Sequence, residues 1–296
     1  MNILRPQFLD EVIGQAVIKQ CIRHSIQASQ LSNRPYPSTL LISGTGCGKT
    51  TLAYVIANEL NVEIIDGHGS HLSSLKNILP YFGRINLKER QIFFIDEIHR
   101  TGKLVQELLY TAMEDFYIDP GKGRPKLQLK PFTLIGATTE EGMLLKPLLN
   151  RFLQKYILCF YSKKELCKII AISAKKFNLS LTHDAIINLS KRSRGIPRVA
   201  NNYLLWIRDY AESSRCLHIT PEVIDKAMSL VGIESDGIDV QDRLYINTLK
   251  QLGRPTGLST LMASLDFSRE TIEKTIEPFL IRSGKVQKTP KGRILT

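Results

Sequence analysis

Apolar residues recur along this chain at two different spacings, and the change of spacing divides it. Over residues 16–30, Val17, Ile18, Cys21, Ile22 and Ile26 fall at helical intervals. The Arg34-Pro35-Tyr36-Pro37 break ends that helix. Short, uninterrupted apolar runs then alternate with helical stretches. The runs cover 39–42, 62–65, 91–95, 132–137 and 155–159, and each reads as a buried strand. Between them, helices are predicted over 49–60 and 103–114, the second burying Leu104, Leu108, Leu109, Ala112 and Met113. Short apolar strands alternating with helices predict an α/β fold whose parallel sheet is covered on both faces.

From residue 163 the strand pattern stops. The periodic segments 163–177, 183–193, 197–214 and 221–231 are all helical, and Thr220-Pro221-Glu222 is a helix start. Residues 233–237, Ile-Glu-Ser-Asp-Gly, read as a polar linker. Helices then follow over 240–252, 258–265 and 268–280, with two short strands around Ser283-Gly284 and Lys291-Gly292. Three helices and a terminal hairpin outline a winged helix. The resulting domains are 1–160, 161–232 and 233–296.

Composition changes this picture little. Of 296 residues, 43% are hydrophobic and 23% charged, an ordinary globular balance that excludes disordered and collagen-like chains. No apolar run approaches the ~18–20 residues of a membrane span. The first fifteen residues carry an Arg-Pro and two acids where a secretory leader has its apolar core, which predicts a cytoplasmic protein. Five cysteines, an odd number with no C-x-x-C pair, predict reduced and mostly buried thiols and no zinc site. Charge adds more. The net formal charge is +12, distributed as +4 over 1–160, +6 over 161–232 and +2 over 233–296. The last figure conceals a polarity. No acid follows Glu277, yet Arg282, Lys285, Lys288, Lys291 and Arg293 do. Such a tail is either a solvated basic face or a phosphate-binding one.

The sharpest local chemistry is Ser43-Gly44-Thr45-Gly46-Cys47-Gly48-Lys49-Thr50-Thr51, set between a predicted strand and a predicted helix. That is the context of a P-loop, where backbone N–H groups and a helix N-terminus converge on phosphate oxygens. Lys49 then reaches the β- and γ-phosphates of ATP, Thr50 sits on Mg²⁺, and Gly46, Gly48 and Thr51 complete the cradle. Ser43 stands where such loops carry their first glycine, a steric cost if that position needs a positive φ. Forty-seven residues after Lys49, an apolar strand delivers Asp96 and Glu97 to the carboxyl edge of the sheet. Asp96 suits a role on Mg²⁺ and Glu97 suits polarising the attacking water. Singly, a glycine-rich turn or an acidic helix cap would account for either motif; together they specify a nucleotide triphosphatase.

With these motifs the chain resembles the AAA+ ATPases and, within them, the RuvB branch-migration motors. The resemblance spans nearly the whole length. It is carried by Arg5-Pro6, Leu9-Asp10-Glu11, Ile13-Gly14-Gln15, Ile95 to Arg100, Ala112 to Phe116, Phe132 to Thr139, Arg192 to Arg198 and Glu270 to Arg293. It implies a large AAA+ ATPase domain, a helical lid and a DNA-binding winged helix over the three segments above. It also implies roles. Leu4, Arg5 and Tyr161 would contact the adenine side of ATP. Thr139 matches the sensor 1 position and Arg198 the sensor 2 position. Arg151 matches the arginine finger that completes a neighbouring subunit's site. Arg269, Lys288, Lys291 and Arg293 match DNA-contacting basic positions. Read alone, Arg198 is a helix-surface arginine and Arg151 a strand-entry charge.

The partners so implied are duplex DNA at Holliday junctions, a homo-oligomeric, hexameric ring, and a RuvA-like protein, with no membrane. The chain departs from the family at Ser43, at Glu140 after sensor 1, at Leu149 before the finger, and at 117–131. That segment is basic (Lys122, Arg124, Lys126, Lys130), proline-interrupted and shorter than the hairpin that docks RuvA, so this partner is the least supported. Three readings follow: an ATP-driven DNA motor, a nucleotide-switched DNA-binding module with weak turnover, and a clamp-loader-like ATPase.

Overall fold

A computed structural model describes residues 2–119 and 126–296. The chain divides into two compact units, Met1–Tyr161 and Ser162–Thr296.

The first unit opens with α1 (Ala16–Leu31), followed by β1 (Thr39–Ile42), α2 (Lys49–Leu60), β2 (Ile64–His68) and α3 (Leu75–Ile85). It continues with β3 (Ile92–Asp96), α4 (Lys103–Asp115), the short strands β4 (Tyr117–Ile118) and β5 (Leu127–Gln128), β6 (Thr133–Thr138), α5 (Lys146–Arg151) and β7 (Gln154–Ile157). Strands β2-β3-β6-β1-β7 form one parallel sheet in that order. Successive side chains alternate between its faces. Leu40, Phe93, Ile95 and Leu134 pack with α3, α4 and α5 on one side. Leu41, Ile92, Phe94, Ile135 and Ala137 pack with α1 and α2 on the other. Burial on both faces is why these strands read as continuous apolar runs rather than as alternations.

Three details differ from expectation. Strand β2 lies later, at 64–68 rather than 62–65, so the ladder ends on polar residues. Helix α3 was not anticipated, because Pro80 and Gly83 interrupt its pattern. Its Ile78, Phe82 and Ile85 are nonetheless fully buried at i, i+4 and i+7, and packing outweighs the local preference. On α4 the buried stripe is Val105, Leu108, Leu109 and Ala112; Leu104 lies off it and is exposed, and Met113 is only partly buried at its edge. The cysteines also differ. All five are free, but only Cys47 is buried, while Cys21 and Cys159 are exposed.

The second unit begins with α6 (Lys163–Lys176), α7 (His183–Arg192), α8 (Pro197–Ser213) and α9 (Pro221–Leu230), packed through Leu166, Ile170, Leu189, Leu204, Ile207 and Met228. Then come α10 (Val240–Leu252), α11 (Leu258–Leu265), a π-helical segment Thr271–Ile276, α12 (Glu277–Arg282) and the hairpin β8 (Val286–Thr289)–β9 (Gly292–Leu295). The third helix of this group was expected to be regular. Pro278 cannot donate to the carbonyl four residues back, and the wider π turn occurs just before it. The hairpin strands lie a few residues beyond their predicted places, because Gly284 ends the helix and Pro290-Lys291 form the turn.

No described helix is long and apolar enough to cross a membrane. Among the described residues, no group of three or more His, Cys, Asp or Glu is disposed to hold a metal.

Candidate active site and nucleic-acid interface

Parallel strands end together, so their carboxyl ends form one functional edge. Ile42 of β1 is level with Thr138 of β6, and His68 of β2 with Asp96 of β3. The P-loop leaves β1 at this edge and enters α2 at Lys49. Gly46 and Gly48 take the positive φ values, +83° and +101°, that the loop requires. Ser43 is not among the positive-φ residues, so its side chain costs no strain there. Lys49 is 8% exposed, and its Nζ donates to the carbonyls of Ser43 (2.8 Å) and Gly44 (3.2 Å). The ammonium is thus held over the loop. Thr51 is half-buried on the first turn of α2.

Thr50 Oγ1 donates to Asp96 Oδ2 at 2.9 Å, which joins the start of α2 to the end of β3. The other Asp96 oxygen accepts from the Glu97 amide at 2.9 Å. Hydroxyl and carboxylate form an all-oxygen donor set of the kind Mg²⁺ prefers. A Cβ added at Gly48 would come 3.5 Å from the Tyr161 hydroxyl, and one at Gly44 would come 3.5 Å from the Phe160 ring. The loop's surface is therefore bare backbone, facing aromatic side chains across a narrow gap. Both observations fit ATP and Mg²⁺.

Glu97 is placed with unusual care. Its φ is +49°, in a region non-glycine residues rarely occupy and which gathers at functional sites. Its Oε2 lies 3.0 Å from Arg100 Nε and 3.6 Å from His68 Nε2. A Cβ on Gly69 would sit 2.1 Å from the Glu97 carbonyl oxygen, so glycine is the residue that lets the two segments meet. Behind it, buried His99 Nδ1 is 3.0 Å from Thr138 Oγ1, which also accepts from the Glu140 amide. His68 and Gly69 belong to no motif noted in the sequence, and His99, Arg100 and Thr138 lie in the runs Ile95 to Arg100 and Phe132 to Thr139 without a role of their own. The Glu-x-x-Arg spacing of 97 and 100 is the one signal that could have found Arg100. Thr139 itself follows β6 by one residue and is half-buried.

The other expected residues are spread out. The Arg5 guanidinium lies 4.4 Å over the Tyr54 ring, and Leu4 is half-buried beside it in sequence. Tyr161 Oη is 3.5 Å from the Cys47 carbonyl. Arg151 ends α5, paired with Glu114 and lying 4.9 Å over the Tyr110 ring. Arg198, the second residue of α8, is exposed in the second unit.

The basic tail is less open than its sequence suggests. Glu277, 1% exposed by side chain, receives Arg293 Nε at 2.9 Å and the Tyr245 hydroxyl at 3.0 Å on Oε1, with Lys288 Nζ 2.5 Å from Oε2. Arg293 also lies 3.3 Å from Glu273. Burial, and after it the Glu277 charge, raises the Tyr245 pKa, keeping that hydroxyl a donor. Arg293, expected to face DNA, is only 14% exposed and turned inward. Arg269 is exposed and pairs with Glu273 at 2.8 Å, holding that carboxyl below its ordinary pKa. Lys291 stands exposed at the hairpin turn. The hairpin expected at 117–131 is represented by β4 and β5; Lys122 and Arg124 lie outside the described residues.

Comparison with known proteins bears on all three segments. Residues 4–158 match the family model "Holliday junction DNA helicase RuvB P-loop domain", 161–234 the RuvB AAA lid domain, and 235–296 the RuvB C-terminal winged helix domain. The chain is 40% identical to the Holliday junction branch migration complex subunit RuvB of Rhodopirellula baltica, covering 99% of this chain and 82% of that one. It is also 40% identical to the protein of the same description from Fervidobacterium nodosum, covering 99% and 86%. Among solved structures, the Thermotoga maritima RuvB Holliday junction branch migration motor superposes with a TM-score of 0.88 at 37% identity, over 99% of this chain and 96% of that one.

Proposed function

The chain belongs to the RuvB family, and from that premise we propose that it is an ATP-driven motor that moves duplex DNA through Holliday junctions during recombination and repair. The observation that carries this reading is a P-loop whose Thr50 meets Asp96 in a chain that ends in a basic winged helix. The RuvB-type P-loop domain makes the chain a nucleotide-binding ATPase. The coupling of hydrolysis to DNA movement is our proposal.

We assign 1–160 to catalysis, 161–232 to a lid over the nucleotide and 233–296 to DNA. Backbone amides of the loop, including those of Gly46 and Gly48, and Lys49 hold the triphosphate, with Thr51 closing the first turn of α2. Leu4, Arg5 and Tyr161 hold the adenine side. Thr50 and Asp96 would hold Mg²⁺, which would supply positive charge against the triphosphate. Glu97 orients the attacking water and accepts its proton at Oε2, once that oxygen is released from Arg100 and His68. Thr139 hydrogen-bonds the γ-phosphate side, and Arg198 reports the nucleotide to the lid. Arg151 enters the adjacent subunit's site and stabilises charge developing on the γ-phosphoryl group, which ties turnover to a hexameric ring.

On DNA, exposed Lys291 and Arg269 contact phosphates directly. Lys288 does so in competition with Glu277, and Arg293 braces the wing from within. Phosphate contacts carry no sequence information, as translocation along any duplex requires. A RuvA-like protein docks at β4–β5. The work is done on DNA junctions in the cytoplasm.

ATP turnover measured without DNA, with duplex and with a four-way junction, each with and without RuvA, tests this. Turnover that rises with DNA and is lost in Glu97→Gln is expected. Absence of turnover at micromolar subunit concentration under all conditions overturns it.

A further inference from the structure

Residues 233–237 read as a polar linker, and the family's lid and winged-helix models meet at 234 and 235. A hinge is the natural expectation. The structure instead places everything from Ser162 to Thr296 in one compact unit. The segment is braced internally, with the Glu234 amide donating to Ile238 O at 2.8 Å and the Gly237 amide to Glu234 O at 3.0 Å. It is also pressed onto the lid. Gly237 has φ +88°, and a Cβ there would fall 2.7 Å from the Arg192 carbonyl oxygen. Arg192 NH1 donates to Ile233 O at 3.1 Å.

The centre of this junction is Arg194. It lies in the turn between α7 and α8, at φ +54°, and its side chain is only 11% exposed. Nε donates to Gly237 O at 2.8 Å. NH2 reaches Asp239 Oδ2 at 2.9 Å and Asp242 Oδ2 at 2.6 Å. Its guanidinium carbon stands 4.3 Å over the Phe279 ring, and its own carbonyl accepts from Arg282 NH2 at 2.6 Å. Each of these partners lies beyond the lid. One planar fork therefore engages the linker, both acids of the α10 capping box and the last helix before the wing. Lysine offers a single rotating ammonium and cannot make that set of contacts. Arg194 is four residues before Arg198, in the turn that leads into the helix carrying Arg198.

We propose that Arg194 is a positioning residue that welds lid and winged helix into one rigid lever, so that displacement of α8 by the nucleotide reaches the DNA-binding wing with no hinge between. The mechanical role rests on the DNA-motor reading; the weld itself does not.

The test uses the full chain with Arg194→Ala and Arg194→Lys. Amide exchange is expected to accelerate at least tenfold over 233–239 in Arg194→Ala, and less in Arg194→Lys, with protection of the α6–α9 and α10–α12 cores unchanged. ATP turnover and duplex affinity should each stay within about threefold, while base pairs migrated per ATP fall at least tenfold. A residue that only stabilised the fold would not move that ratio with both cores intact. Unchanged exchange over 233–239 overturns the weld. Accelerated exchange with normal migration per ATP overturns the lever. If Arg194→Ala loses core protection, the same criteria apply to Arg194→Lys. Wild-type protein that hydrolyses ATP yet migrates no junction refutes the motor reading instead, and the exchange arm still decides the weld.

Discussion

The buried carboxylate of Glu277 makes a demanding test, because it sets stability and DNA affinity in opposition. At 2.9 Å from Arg293 and 2.5 Å from Lys288, it is the buried carboxylate of a cluster whose second acid, Glu273, also engages Arg293. Each contact is worth roughly 6 kcal/mol of gross Coulomb attraction at an effective dielectric of about 20, most of it offset by desolvation. Removing one partner of such a buried pair costs about 3–5 kcal/mol. Here the cost should fall at the lower end, about 3 kcal/mol, for two reasons. Arg293 retains Glu273 at 3.3 Å, and Lys288, 45% exposed, can rehydrate. Glu277→Gln preserves shape and keeps an acceptor for Tyr245. Urea unfolding followed by Trp206, the single tryptophan, which lies in the same unit, reads the loss. The same substitution releases Lys288, so duplex affinity should rise and log Kd against log salt should steepen by about one unit. A stability loss under about 1 kcal/mol refutes the burial argument. A weakened affinity with a flattened slope shows that the paired geometry, not freed charge, presents the wing to DNA.

Lys49→Ala should abolish ATP binding with the far-ultraviolet circular dichroism unchanged; unaltered affinity by titration calorimetry would remove Lys49 from the phosphate site. Gly69→Ala forces a Cβ toward the Glu97 carbonyl, so turnover should fall at least tenfold, a barrier increase of about 1.4 kcal/mol, with ATP affinity retained. Equal loss of both would place the effect in folding. Arg151→Ala should bind ATP and lose turnover by about 10³-fold. Mixing it with Glu97→Gln subunits should restore part of that loss, and a mixture as inactive as its components would refute a finger acting in trans. Burial lifts the Asp242 carboxyl from 3.8 to about 6. The folded state then binds the extra proton between those values, so its contribution to stability falls as pH rises from about 4 to 6, by at most about 3 kcal/mol. Subtracting the urea-derived profile of Asp242→Asn isolates this slope, and a difference that is flat or rises with pH contradicts the assignment.

How far the chain could be read from its sequence depended on how many residues a feature needs. A buried position on a strand or helix is written in one residue and its own periodicity. The five-stranded sheet, the four lid helices and the phosphate loop were therefore legible within a few residues of their ends. Helix α3 was hidden by Pro80 and Gly83, local signals overruled by Ile78, Phe82 and Ile85 packing on the sheet. The Glu97 surroundings were harder, since His68 comes from a strand whose last three residues, Asp-Gly-His, look like loop. Its relevance appears only when β2 and β3 are brought into register.

Charged and polar features failed for a different reason: an ion pair needs two residues, and composition counts them singly. The stretch after Glu277 is free of acids in sequence, yet Glu273 and Glu277 fold beneath it and engage Lys288 and Arg293. Polarity at 233–237 looked like solvated linker, yet carbonyls of that segment accept from buried arginines of the lid. Buried polar groups must find partners, so a run of polar residues beside a cluster of arginines has two physical outcomes, a solvated hinge or a satisfied joint. Arg192 and Arg194 decide for the joint, each with its guanidinium shielded from water. They are two of the twelve Lys and Arg residues of the lid segment 161–232. Of the net +6 over 161–232, the charge of Arg194 is met by Asp239 and Asp242 beyond the segment, which leaves less field for DNA than the sum implies. The exposed Lys291 at the wing turn, in the segment of smallest net charge, gains weight accordingly.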